Sequence, residues 1–213
     1  MDRISEINAF LQQGRTPKVK ELVTLALAEG IDPELILSEG LLAAMNVVGE
    51  KFKRNEVFVP EVLVSARAMN AGVEILRPYL VAAGVESAGK AIIGTVKGDL
   101  HDIGKNIVRM MLESKGIEVV DLGVDVTSDA FVEKTKEINP DIICCSALLT
   151  TTMNEIKNVV EALEKAGLRD KVKIMVGGAP VTQAFCDSVG ADYYTADAAS
   201  ASEVALKVCK GEM

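Results

Sequence analysis

The chain has 213 residues, of which 49% are hydrophobic and 25% charged, enough apolar material for one large domain or two small ones and too much for a disordered chain. A formal net charge of −8 at pH 7 repels phosphate backbones and anionic lipid heads, so nucleic acid and membrane surfaces are not expected partners. The N-terminus is polar and amphipathic, and no stretch approaches the roughly 18 uncharged apolar residues that cross a bilayer, so a cytoplasmic protein is expected.

Residues 1 to 84 read as four helices in a small antiparallel bundle. The first lies near Ile4 to Leu11. In TPKVKELVTLALAEG, Thr16 is expected as N-cap, Pro17 opens the helix and Gly30 follows its end. Asp32 caps the third, where Leu35, Ile36, Leu41, Leu42, Met45 and Val48 form an apolar stripe. The fourth runs from about Pro60 to Leu80. The small, weakly patterned stretch 81 to 90 is the expected linker, after which a second domain occupies 90 to 213.

Short β-branched runs then alternate with amphipathic segments: AIIGTV, IEVVDL, DIICCSAL, VKIMVGG and ADYYTA. This pattern predicts an α/β domain with a five-stranded parallel sheet covered on both faces, in the flavodoxin-like order 2-1-3-4-5. In that order the crevice between strands 1 and 3 is the topological switch point, where a ligand has room to bind. GDLHDIGKN, just after strand 1, places the sole histidine, His101, at its mouth, with Ser146 ending strand 3 and Gly177 and Gly178 ending strand 4.

One imidazole without a second histidine or nearby cysteine cannot build an ordinary zinc site of three or four ligands. It can be one ligand of a metal whose other positions come from a macrocycle. Asp99, two residues earlier, is placed to accept a hydrogen bond from the ring nitrogen that faces away from a metal. Gly98 and Gly104 leave space for a planar group, and Asp102 can cap the next helix. Cys144, Cys145, Cys186 and Cys209 form no CxxC pair and are expected as packing.

DxHxxG (Asp99, His101, Gly104), SxL (Ser146, Leu148) and GG (Gly177, Gly178), with VKGDLHDIGKNIV around the histidine, resemble the cobalamin-binding domain of B12-dependent methyltransferases. GEKFKRNEVFVPEVLVSARAM, residues 49 to 69, is similar to the helical cap that precedes that domain. The resemblance spans nearly the whole chain and extends to the small corrinoid proteins of methylamine, methanol, betaine and methoxy-aromatic methyltransferase systems. It implies a methyl carrier and not an enzyme by itself, with cobalamin or a related corrinoid alternating between methylcob(III)alamin and cob(I)alamin. A substrate:corrinoid methyltransferase would load the methyl group. A second methyltransferase would pass it to tetrahydrofolate or coenzyme M, and a reductive activation protein would restore the carrier.

By the same resemblance His101 is the lower axial ligand and the metal's only protein ligand, with Asp99 and Thr152 completing a proton relay in which the family's usual hydroxyl is a serine. Further cofactor contacts are implied at Asp102, Ile103, Gly104, Ser146, Leu148, Thr150, Gly177, Gly178, Ala179, Tyr194 and Ala198, and from the cap at Phe52 and Val59. Methyl transfer would release His101, which would take up a proton in company with Asp99. The cap would swing aside about the 81 to 90 linker to admit partners. A B12-dependent light sensor or regulatory module is the alternative. Such modules usually add a DNA-binding segment, and the acidic chain shows none.

Overall fold

The computed structural model describes residues 2–84 and 87–213. They fall into two compact units, Met1–Ser87 with Glu113–Gly116, and Ala88–Leu112 with Ile117–Met213.

The first unit is helical. Helix α1 (Arg3–Gln12) starts at Asp2, whose carboxylate accepts the Ser5 N–H. Helix α2 spans Thr16–Ala28, and its N-cap is Arg15, not Thr16 as the sequence suggested. Pro17 needs no N–H donor in the first turn, so the helix opens one residue early without a side-chain cap. Asp32 caps α3 (Pro33–Leu35) as expected, accepting the Glu34 N–H. The chain continues through a wider π-helical segment, Ile36–Leu42, into α4 (Ala43–Lys53). The third predicted helix is therefore one rod with a changed register, a feature the apolar spacing does not encode. In α5 (Val59–Ala82) the Glu61 carboxylate accepts the Phe58 N–H at the N-terminus. Ile7, Leu11, Leu22, Ile36, Leu41, Met45, Met69 and Leu76 are fully buried and form the core of this unit.

The expected linker is shorter than 81 to 90, since α5 runs to Ala82 and the first strand begins at Gly89. Val85 and Glu86, within that stretch, lie outside the described residues.

The second unit is a five-stranded parallel sheet in the order β2-β1-β3-β4-β5, with strands β1 (Gly89–Thr95), β2 (Ile117–Asp121), β3 (Ile142–Ser146), β4 (Lys173–Gly177) and β5 (Tyr193–Tyr194). Helices α6 (Ile103–Glu113), α7 (Ser128–Ile138), α8 (Met153–Lys165), α9 (Gln183–Val189) and α10 (Ala198–Cys209) supply the crossovers and cover both faces. Alternate residues of each strand enter opposite cores. Ile92, Ile143, Cys145, Ile174 and Val176 pack with side chains of α7, α8 and α9, while Ala91, Ile93, Ile142, Cys144 and Met175 pack with those of α6 and α10. Burial pushes the Cys145 thiol up to about 12 and raises Cys144 as well, so both side chains serve as small apolar groups. No helix among the described residues is long and apolar enough to cross a membrane.

Candidate cofactor site

Parallel register aligns the carboxyl ends of three strands, pairing Thr95 with Ser146 and Ser146 with Gly177. The loops leaving these ends open on one edge of the sheet, at the switch point between β1 and β3.

Asp99 is the centre of this edge. Its side chain is fully buried, whereas that of His101 is 51% exposed. Asp99 Oδ1 accepts the His101 backbone N–H at 3.1 Å and lies 2.8 Å from His101 Nδ1. Its Oδ2 accepts the Leu148 N–H at 2.8 Å, the Leu149 N–H at 3.3 Å and the Thr152 hydroxyl at 2.8 Å. Burial alone would raise the Asp99 pKa. The Leu148 N–H, the His101 ring and backbone and the Thr152 hydroxyl outweigh it and hold the carboxyl well below the usual range. An ionised Asp99 fixes the imidazole proton on Nδ1 and leaves the Nε2 lone pair of this half-exposed side chain available to a metal. Thr152 Oγ1 also stands 2.9 Å from the Leu149 carbonyl, and its single proton goes to the stronger acceptor, the carboxylate.

The surroundings suit a large planar ligand. Leu100, Leu148 and Leu149, on the loops that carry the Asp99–His101 pair and its amide donors, and Ile103, at the start of α6, are exposed by 71%, 40%, 41% and 76%. Such exposure of aliphatic side chains beside one oriented imidazole forms an apolar rim with a nitrogen donor. A Cβ at Gly104 would meet nothing, so the start of α6 is open. At Gly178, with φ at +128°, a Cβ would overlap the Ala147 carbonyl oxygen; only glycine lets the β3 and β4 exit loops pass this closely. Among the described residues no three or more His, Cys, Asp or Glu side chains are grouped to hold a metal ion, so a metal bound at His101 must bring its other ligands with it. The residues present therefore fit a metal-bearing macrocycle with one protein ligand.

The remaining sequence-predicted residues divide by place. Ser146 and Gly177 are half-buried on the strand ends, and Thr150, Gly178 and Ala179 are exposed in the adjoining loops. Asp102 precedes α6, but its carboxylate takes the Asn106 side-chain amide at 3.0 Å. Tyr194 sits in β5 paired with Val176, and Ala198 is buried at the start of α10. Phe52 and Val59 belong to the helical unit, at the end of α4 and the start of α5. Two residues that sequence reasoning missed support the histidine loop. The buried Thr95 hydroxyl donates to the His101 carbonyl at 2.9 Å, and the Asp125 carboxylate accepts the Gly98 N–H at 2.7 Å. Neither belongs to a motif around His101, since Thr95 is the last residue of β1 and Asp125 lies in the loop after β2.

An open α/β sheet with one oriented, exposed imidazole on an apolar rim at its switch point defines a cofactor-binding protein. The chain matches the B12 binding domain at residues 89–206, and a second profile, also described as a B12 binding domain, at residues 4–77. It is 49% identical over 190 residues to trimethylamine corrinoid protein 1 of Methanosarcina acetivorans, covering 88% of this chain and 87% of that protein. It is also 49% identical over 184 residues to dimethylamine corrinoid protein 3 of the same organism, covering 86% of each. Among solved structures, it superposes with a TM-score of 0.89 and 31% identity on a chain of the methanol:cobalamin methyltransferase complex of Methanosarcina barkeri, covering 98% of this chain and 80% of that one. A cobalamin-binding protein of Desulfitobacterium hafniense gives 0.79 and 32%, covering 98% of each chain. The chain belongs to the B12-binding corrinoid protein family.

Proposed function

We propose that the chain carries a methyl group on a bound corrinoid, receiving it from a substrate-specific methyltransferase and delivering it to a second methyltransferase. Relatives of nearly the same length named for trimethylamine and dimethylamine favour a methylamine as the methyl source. In this reading the partners are a methylamine:corrinoid methyltransferase, a methyltransferase that uses tetrahydrofolate or coenzyme M, and a reductive activation protein. When bound, the corrin supplies a cobalt centre that can accept and release a methyl group, chemistry that no side chain provides.

The chain's own residues then have distinct tasks. His101 Nε2 would hold the metal of the bound corrinoid, and Asp99, 2.8 Å from Nδ1, would keep the proton on that nitrogen and make Nε2 the better donor. Thr152 and the Leu148 and Leu149 amides hold Asp99 ionised and immobile. The exposed Leu100, Ile103, Leu148 and Leu149 would give the bound corrinoid an apolar surface and keep water from it. Ser146, Thr150, Gly177, Gly178 and Ala179 would line the crevice that takes the cofactor's nucleotide tail.

The observation that carries this reading is the Asp99–His101 pair, with one oxygen of a buried carboxylate committed to the ring and the other to three donors on the β3 exit loop. The test is to purify the protein with its corrinoid and supply a methylated amine with extract as the source of methyltransferases. Methyl transfer to the bound cofactor, dependent on the amine, is expected; oligomerisation on illumination without transfer would favour the sensor reading instead.

A further inference from the structure

The segment Asp121-Leu122-Gly123-Val124-Asp125-Val126, which leaves β2, grips the histidine loop from both sides. Thr95, the last residue of β1, donates its N–H to the Gly123 carbonyl and accepts the Val126 N–H, each at 3.0 Å. Asp125 Oδ1 accepts the Gly98 N–H at 2.7 Å, and the Asp125 N–H donates to the Asp99 carbonyl at 3.0 Å. Beyond His101, the buried Lys105 Nζ lies 2.7 and 2.6 Å from the two carboxylate oxygens of Asp121. The loop is therefore tied to this segment before, at and after the residues that orient the imidazole. Asp125 makes two of these ties while held at a φ of +54°, a left-handed conformation open mainly to glycine, asparagine and aspartate.

We infer that Asp125, together with the Thr95 hydroxyl on the His101 carbonyl, is a positioning residue that aims His101 Nε2 at the metal of the bound corrinoid. Asp99 sets which ring nitrogen is free; Asp125 and Thr95 set where the backbone beneath that ring stands. This rests on His101 being the lower ligand. Losing either hydrogen bond lets the loop relax, and His101 then competes less well for the coordination position.

Competition for that position tests the inference. Protein loaded with its corrinoid in the cobalt(II) form is titrated with free imidazole labelled with nitrogen-15, and electron paramagnetic resonance distinguishes the added nitrogen from that of His101. Cofactor content and thermal midpoint are measured alongside. The D125G variant keeps access to the left-handed conformation but loses the acceptor, D125N keeps both, and T95V removes the hydroxyl within the strand. The loss of one hydrogen bond predicts that about tenfold less imidazole displaces His101 in D125G and in T95V, with D125N within about twofold of the parent. If D125G does not fold, T95V decides. Unchanged competition in a variant that still holds its corrinoid, even with a lowered thermal midpoint, would overturn the positioning role. Absence of any protein nitrogen signal in the parent would overturn the ligand assignment, and this inference with it.

Discussion

At the scale of single residues, Asp99 and Thr152 do different jobs that substitution separates. Asp99→Asn removes the charge that holds the proton on Nδ1, and the new amide brings an N–H toward either the His101 ring or the Leu148 and Leu149 donors. Weaker coordination by His101 is expected, read as a shift in the visible spectrum of the loaded protein. Thr152→Val removes one of the donors to Asp99 and leaves the hydroxyl's former acceptor buried, so a stability loss of about 1 kcal/mol is expected by denaturant titration, with a smaller spectral change than D99N. A larger spectral change in T152V than in D99N would contradict this division. The motif residues were legible in the sequence because the family signature groups them by short spacings. Thr95 and Asp125 were not, because their roles are hydrogen bonds to main-chain groups: Thr95 reads as one more strand residue six positions before His101, and Asp125 is brought to the loop by tertiary folding.

At the scale of elements, the site depends on how closely the strand exits approach. Gly178 lies where the β4 exit passes the Ala147 carbonyl, in a conformation L side chains rarely adopt. Gly178→Ala forces a clash with backbone that cannot rotate away, and a destabilisation of about 2 kcal/mol or more is expected in denaturant titration, with lowered corrinoid content. A fully stable G178A would show that these loops are free to separate. The alternation of β-branched runs with helical stretches marked the strands, since parallel strands buried on both faces read as short continuous apolar runs; their order was an expectation from the flavodoxin-like fold, and the sheet has it. Helix detail was harder. Hydrophobic spacing does not distinguish an α turn from the π-helical segment Ile36–Leu42, and a polar residue before proline, such as Thr16, fits a cap or a first turn equally well.

At the scale of the whole molecule, acid stability follows from the buried Asp99 and the half-buried Asp121. Burial raises the Asp121 pKa, but Lys105, the Gly123 N–H and Arg109 outweigh it and leave it lowered. A carboxyl with a folded pKa below its unfolded value stabilises fully above the unfolded value, near pH 4, and loses that contribution as pH falls through the folded one. Asp99 acts in the same direction. The thermal midpoint is therefore expected to fall on acidification below about pH 4. Asp121→Asn should cost about 3 kcal/mol at neutral pH, because the buried Lys105 loses its opposite charge, and should flatten the acid limb. An acid limb as steep in D121N as in the parent would place the dependence elsewhere.

The central claim is that the one imidazole of this chain is the metal's protein ligand. Because His101 is the sole histidine, growth on nitrogen-15 histidine labels a single side chain. The cobalt(II) form of the loaded protein should then show its axial nitrogen splitting converted to the pattern of the heavier isotope's nuclear spin; a spectrum identical to that of unlabelled protein would contradict the account.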